Sequence, residues 1–349
     1  MLFRFCSRFA ATVTLGLLMF SPLAAWDYTG HRIVNQAALA SLPADFPEFV
    51  RAPAAAERIA FLAGEPDRWR NVPDLPIKHA NGLDHYCDLE HLAGAGVDPR
   101  TVSSLRFEFA LTFAAGRAAH PEKFPPIDPA KNADRSREWA GFAPWAAAEY
   151  YGKLKSAFSY LKAYQEHGGT PVEIENARAN ILYLMGVMGH VVGDLAQPLH
   201  TTMHHHGWVG ENPHGYSTWT GIHAWLDGGL IAQTGVTAGE VCAQVRPAHA
   251  LSVQPRADGR DPVFVQVMDY ALAQNARVEP LYQLEKAGKL APEAADLSEA
   301  RTFICEQLQV GGEMLGSIWL TAWRNTIPDV YLQGELLRRQ QAAATAPAR

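Results

Sequence analysis

The stretch from Pro171 to about Ala196 most constrains this chain. It reads as one long helix, opened by Pro171 and ended by Pro198, because proline suits the first helical turn and restricts the residue before it. Its last turns carry His190 and Asp194, four residues apart, and His200 follows just past Pro198. His223 and Asp227 are again four apart. On a helix, residues four apart share a face, so each pair can aim two donors at one point. Two imidazoles, two carboxylates and a fifth donor from the adjoining turn suit zinc, which accepts nitrogen and oxygen ligands. One His/Asp pair at this spacing is ordinarily a surface ion pair; two pairs with a histidine between them point to a metal centre.

The amino terminus reads as a secretory signal peptide over 1–25: Arg4 and Arg8, a short apolar run from Phe9 to Phe20, then Ser21 to Ala25 with small residues before the cut. The run is too short to span a bilayer. Cleavage between Ala25 and Trp26 would release a secreted or periplasmic protein that starts at Trp26, and no cysteine follows the cut to carry a lipid. A free α-amine titrates near pH ~8, so a cation can displace its proton. The amine and carbonyl of Trp26, with His31 five residues on, therefore offer a second metal site.

Removal of that segment leaves 324 residues, enough for a full core. The whole chain has 30 Lys and Arg against 36 Asp and Glu, net −6, and loss of the two leader arginines takes it to −8. That argues against non-specific duplex binding, which needs a basic surface, and leaves a metal centre as the main local positive charge. Cys87, Cys242 and Cys305 remain. In an oxidising compartment they allow one disulfide, with Cys242–Cys305 preferred because both lie in the C-terminal helical half.

Helical patterns dominate the rest: Arg32 to Leu42, Val102 to Ala119, Trp139 to Glu166, Pro262 to Ala287 and Leu297 to Asn325. Gly64 to His91 reads as loop-rich, broken by Pro66, Pro73, Pro76 and Gly82. Glu122 to Arg135 is a polar, Pro-rich connection. Trp139, Trp145, Tyr150, Tyr151 and Tyr160 read as core at helical spacing. Strand signals are few, and neither a repeat nor a linker is visible. The expectation is an all-α fold, a single-domain helical bundle over 26–335, with a disordered tail over 336–349.

The order Trp26, Gly30-His31, Asp67, His85, Gly189-His190, Gly193-Asp194, Gln197-Pro198-Leu199-His200, His223, Asp227 resembles the phospholipase C/nuclease superfamily. It is most similar there to the secreted, zinc-dependent single-strand-specific nucleases of the S-one/P-one type. The resemblance spans roughly two thirds of the mature chain. It implies a helical bundle of that type holding three zinc ions, with endonuclease and 3′-nucleotidase activity.

Carried over by position, Asp67, His85, His190 and Asp194 would hold one zinc. Trp26, His31 and the second oxygen of Asp194 would hold its neighbour, and His200, His223 and Asp227 the third. Two zinc ions bridged by a carboxylate can share a water and lower its pKa toward neutrality, giving a hydroxide nucleophile. The third can bind the phosphate and stabilise the leaving oxygen. The resemblance also gives Asp67 a role in orienting or deprotonating that water, and Arg70 one in stabilising phosphoryl charge. Asp88 would hold a ligand histidine by its other nitrogen.

The segment Gly207 to Ile222 departs from the Gly-rich approach of the nucleases, which bears on substrate preference rather than metal binding. His204, His205, His206 and His214 are additional to the pattern. A nuclease of this kind needs aromatic faces for unpaired bases. Tyr28, Trp69, Tyr86, Trp208, Tyr216 and Trp219 lie near the ligands in sequence and are the candidates. Three functions stand open: a phosphodiesterase on single-stranded DNA or RNA and nucleotides, a phospholipase C cleaving phospholipid headgroups, and a non-catalytic zinc-binding protein. Asp67 together with Arg70 argues against the last. No obligate protein partner is indicated.

Overall fold

The computed structural model describes residues 26–345. The leader expected over 1–25 and the last four positions lie outside the described residues. The fold is all-α, with no strand among the described residues. Its first half comprises α1 (Tyr28–Ser41), α2 (Pro53–Leu62), α3 (Glu65–Asn71), α4 (Leu75–Gly82), α5 (Leu89–Gly94), α6 (Arg106–Ala119), α7 (Ala143–Glu166) and α8 (Pro171–Ala196). Then come α9 (Ile222–Ala224), α10 (Leu230–Thr234), α11 (Ala238–Cys242), α12 (Pro262–Asn275), α13 (Val278–Lys286), α14 (Ser298–Arg324) and α15 (Val330–Thr345).

Helix α8 is the axis of the core. Thr170 and Glu173 form a reciprocal capping box at its start, Pro171 sits in the first turn, and Gln197 leaves helical geometry ahead of Pro198. The helix is long and apolar enough to cross a bilayer, yet 72% of its most apolar window is buried inside the protein, against α1, α2, α7, α12 and α14. Burial on every side is what a uniformly apolar helix requires. Close approach depends on small residues. A Cβ on Gly189 would lie 1.6 Å from Asn35 Oδ1, and Asn35 Nδ2 in turn donates to the carbonyls of Ile59 at 2.8 Å and Gly186 at 3.1 Å. One buried amide thus joins α1, α2 and α8 directly below His190.

A second apolar cluster sits beside the main core. Phe109 of α6 stacks on Trp145 of α7 at 3.9 Å between ring centres, and Phe113, Phe142 and Phe264 close around them. This cluster carries the 121–139 segment, which forms one wall of the site described below.

Several boundaries differ from the sequence reading. Pro66 and Pro76 occupy first-turn positions of α3 and α4, so within Gly64 to His91 these two start helices rather than break them. The pattern from Pro262 to Ala287 divides into α12 and α13 at Ala276-Arg277, next to Asn275, whose side chain donates to Thr201 O. Helix α7 starts at Ala143, leaving Trp139 on the connection before it. The tail expected to be disordered from 336 is helical to Thr345. Leu336 is buried, Arg339 pairs with Glu173 at 2.8 Å, and Gln340 Nε2 donates to His167 O. Cys87, Cys242 and Cys305 are free thiols, so the preferred Cys242–Cys305 bridge is not formed.

Candidate metal centre

Seven elements bring their histidines and carboxylates to one place. Helix α8 delivers His190 and Asp194, both fully buried, and α1 delivers His31. Asp67 lies on α3, His85 ends the short turn Leu83–His85, and His200 ends the turn Pro198–His200. His223 and Asp227 span the join between α9 and the wider π-helical turn Trp225–Gly229. Such π turns recur at functional sites.

Three groups form, each compact enough to hold a metal ion: His31, His190 and Asp194; Asp67, His85 and His190; His200, His223 and Asp227. Asp194 stands between the first two. Its Oδ1 is 3.4 Å from His31 Nε2, while its Oδ2 is 3.0 Å from His85 Nδ1 and 3.3 Å from His190 Nε2. In the third group His223 Nε2 lies 3.1 Å from His200 Nε2 and 3.2 Å from Asp227 Oδ2.

The donor chemistry fits cations. His190 Nδ1 donates to Ala63 O at 2.6 Å, and His200 Nδ1 to His85 O at 2.7 Å. A carbonyl only accepts, so these rings carry their proton on Nδ1 and present the Nε2 lone pair inward, as metal-ligating histidines do. Asp194 Oδ1, Asp227 Oδ2 and both ring nitrogens of His31 are buried with no hydrogen-bond partner among the described residues. Buried polar atoms without partners are costly, and a cation in each group relieves them. The ligands are nitrogen and oxygen donors without thiolate, a set compatible with zinc.

The electrostatics follow from this crowding. Burial lowers the proton affinity of His31, His85 and His223 well below the usual imidazole value, with neighbouring histidines or Arg70 adding to the effect. Burial alone would raise Asp194, but His200 and His190 hold it well below the carboxylate range. Asp227 is pushed well up by burial, with Asp194 adding to it. Arg70 Nε lies 2.9 Å from Asp67 Oδ1, and its charge also depresses His85, His200 and His223.

Trp26 is fully buried. Its Nε1 donates to Gly193 O at 2.7 Å, and the Asp27 amide donates to Asp227 O at 3.0 Å. Asp27 then caps α1 through Thr29 N and Gly30 N, which sets where the helix carrying His31 begins. The first described residues are thereby clamped between the backbone of Gly193, next to Asp194, and that of Asp227.

Two of the groups reach, through His85 and through His200 and His223, a cleft of about 550 Å³ lined also by Arg70, Tyr86 and His206. A larger groove of about 890 Å³, beside Phe49, Phe158 and Trp323, contains none of the three groups; chemistry rather than size selects the smaller one. Of the aromatic candidates only Tyr86 lines the cleft. Tyr28 packs edge-on to Phe61. Trp208 stacks on His204, Tyr216 is buried against Trp208 and Tyr282, and Trp219 packs on the main core. Trp69 is half-buried on α3, away from the lining.

Three readings of single residues change: Tyr160, expected in the core, is exposed, and two others bear on the site. Asp88 does not hold a ligand histidine: its Oδ2 faces His91 Nδ1 at 3.4 Å and its Oδ1 faces His205 Nδ1 at 4.0 Å. Trp139, expected in the core, is half-buried and lines the cleft. Among the additional histidines, His205 and His206 line the cleft while His214 packs on Tyr216. Lys78 and Arg137 also line it and carried no sequence signal, because neither belongs to the metal-ligand pattern. No family model, curated protein or solved structure matches this chain.

Acid sensitivity is built into the site. Burial lowers His91 to about 4 and His205 to about 3, from 6.5. Above pH 6.5 neither state holds the extra proton and these groups contribute nothing to the pH dependence. Below it the unfolded chain gains protons that the folded chain refuses. Stability is therefore lost from pH 6.5 down toward 4 through His91, by up to about 1.4 kcal/mol per pH unit, and by less through His205, whose side chain is 37% exposed. Urea midpoints of metal-free protein across this range should fall steadily with acidity; flat midpoints would contradict the buried neutral state.

Proposed function

We propose that this chain is a zinc-dependent phosphodiesterase acting on single-stranded nucleic acid. The observation that carries the reading is the pair of His/Asp groups that meet at His190, with Asp194 facing histidines of both, a third group nearby, and a cleft reached by His85, His200, His223 and the guanidinium of Arg70. The sequence resemblance adds the substrate class. His31, Asp67, His85, His190, Asp194, His200, His223 and Asp227 would hold the ions, joined by the Trp26 amine and carbonyl once the chain starts there. Bound zinc supplies Lewis acidity toward a phosphoryl group and lowers the pKa of water.

The protein's own groups do the rest. The Asp67 carboxylate, paired with Arg70, is placed to orient a water and accept its proton. The Arg70 guanidinium neutralises charge on phosphoryl oxygens. Tyr86 offers a face for a base, held in position by its hydroxyl, which donates to Ser136 O at 3.2 Å.

The test is a substrate panel: single-stranded oligonucleotide, duplex of the same sequence, and phosphatidylcholine vesicles, each with the zinc-loaded chain starting at Trp26. Cleavage of the single strand ahead of the other two is the expected result. Release of phosphocholine without nucleotide cleavage would replace this reading by the phospholipase C one.

The amino terminus gives a separate expectation. A chain with Ala25 retained before Trp26 should bind about one zinc fewer than one starting at Trp26 and lose most of its activity, with helix content unchanged. Equal zinc content and equal activity would remove the amine from the ligand set.

A further inference from the structure

The cleft extends beyond the metal groups onto the 121–139 segment, where Pro125, Pro126, Ile127 and Trp139 share its lining with Lys78 and Arg137. We propose that this shelf is a second subsite that takes the neighbouring nucleotide of a polymeric substrate, its base on Trp139 and the two prolines and its phosphate against Lys78 and Arg137. The inference rests on the phosphodiesterase reading and deepens it: the preferred substrate is a chain of nucleotides rather than a single one.

Trp139 is supported from behind by Phe142 at 5.7 Å and Phe113 at 6.3 Å between ring centres, so its indole is fixed while it borders the cleft. Proline and isoleucine complete a rigid apolar surface, the kind on which bases of any identity stack. The segment is tied in place at several points. His79 Nδ1 donates to Asp134 O at 2.6 Å, Asn132 Nδ2 to Glu138 Oε1 at 3.0 Å, and the Arg137 amide to Asn132 Oδ1 at 3.1 Å. A shelf fixed before binding loses little conformational freedom when it is occupied.

The two cations are available. Arg137 uses Nε on Lys131 O, and neither its terminal nitrogens nor Lys78 Nζ make a hydrogen bond or close ion pair among the described residues. Arg117, by contrast, is engaged by Glu138 O and the Phe124 ring. Two carboxylates line the cleft: Asp134, whose Oδ1 accepts from the amide and hydroxyl of Ser136 and whose charge Lys78 offsets, and Asp88, which faces His91 and His205. A phosphate there meets two cations, Lys78 and Arg137, against the single, partly engaged carboxylate of Asp134 on the 121–139 segment. A phospholipid would use the same apolar shelf for acyl chain, but the paired cations beyond it suit a second phosphate.

The test compares a nucleoside 3′-monophosphate, which reaches only the metal groups, with a trinucleotide, using zinc-loaded wild type, Trp139→Ala, Trp139→Phe and the double variant Lys78→Ala/Arg137→Ala. The wild type should show a KM for the trinucleotide at least about 10-fold below that for the monophosphate, the value of one stacked base. Trp139→Ala and the double variant should raise the trinucleotide KM about 10-fold and leave monophosphate turnover unchanged, and Trp139→Phe should restore most of the loss. The double variant removes only exposed side chains, so its result does not depend on the packing of Trp139. Equal KM values in the wild type, or variants that affect both substrates alike, would overturn the subsite. So would losses confined to phosphatidylcholine vesicles. A wild type that cleaves neither nucleotide substrate would overturn the phosphodiesterase reading itself, and the subsite with it.

Discussion

Replacement of Asp194 by Asn should cost the protein two metal ions at once. The two carboxylate oxygens face different histidines, Oδ1 toward His31 and Oδ2 toward His85 and His190, and those histidines fall in two adjoining groups, His31/His190/Asp194 and Asp67/His85/His190, each compact enough to hold an ion. An amide offers one weak oxygen donor in place of two charged ones. Zinc content measured by elemental analysis should fall from about three per chain to about one, retained by His200, His223 and Asp227. Activity should drop by far more than the roughly 10–100-fold that follows when only a ligand's outer partner is disturbed. The melting temperature in excess zinc should fall as well, because an ion that binds only the folded state adds to its stability, by about 4 kcal/mol at a concentration 1,000 times its Kd. A variant with full zinc content would show that Asp194 is not shared.

The second large effect concerns the scaffold. Gly189→Ala should destabilise the fold by about 3 kcal/mol or more, at the upper end of overpacking costs. The new Cβ would meet Asn35 Oδ1 at 1.6 Å, and Asn35 cannot retreat without abandoning the carbonyls of Ile59 and Gly186 that it serves inside the core. Because Gly189 precedes His190, the same displacement reaches the candidate metal ligands, so the variant should lose both melting temperature and metal affinity. Pairing it with Asn35→Ala should recover part of the loss, as contacting residues couple. An unchanged melting temperature in Gly189→Ala would mean that the close approach of α1 and α8 is not required.

The metal groups were legible because their chemistry is carried by residue types and spacings that survive in one dimension. His190 and Asp194 share a helix face wherever that helix goes, and Pro171 and Pro198 fix its ends. The boundaries of α3 and α4 were less legible, because Pro66 and Pro76 read equally as breakers and as first-turn residues. The C-terminal helix was missed for a related reason: an Ala- and Gln-rich tail has high helix propensity, but its docking through Leu336 and Arg339 depends on where α7 and α8 turn.

The substrate face was the least legible part. Nearness in sequence to a ligand placed Trp208, Tyr216 and Trp219 among the candidates, yet the 203–221 segment folds these rings onto one another or onto the core. The candidate ligands nearest to Trp139 in sequence are His190, 51 residues on, and His85, 54 residues back, and only tertiary packing brings it to the cleft. Asp88 shows the same limit: its place in the motif suggested a partner among the ligands, and the turn into α5 aims it at His91 instead.

The measurement that tests the account most directly is hydrolysis of a single-stranded oligonucleotide by the zinc-loaded chain starting at Trp26, followed before chelation, after chelation and after zinc is restored. The account requires cleavage that the chelator abolishes and zinc returns. Cleavage that persists in protein shown by elemental analysis to be free of metal would contradict it, as would a fully zinc-loaded protein that leaves the oligonucleotide intact.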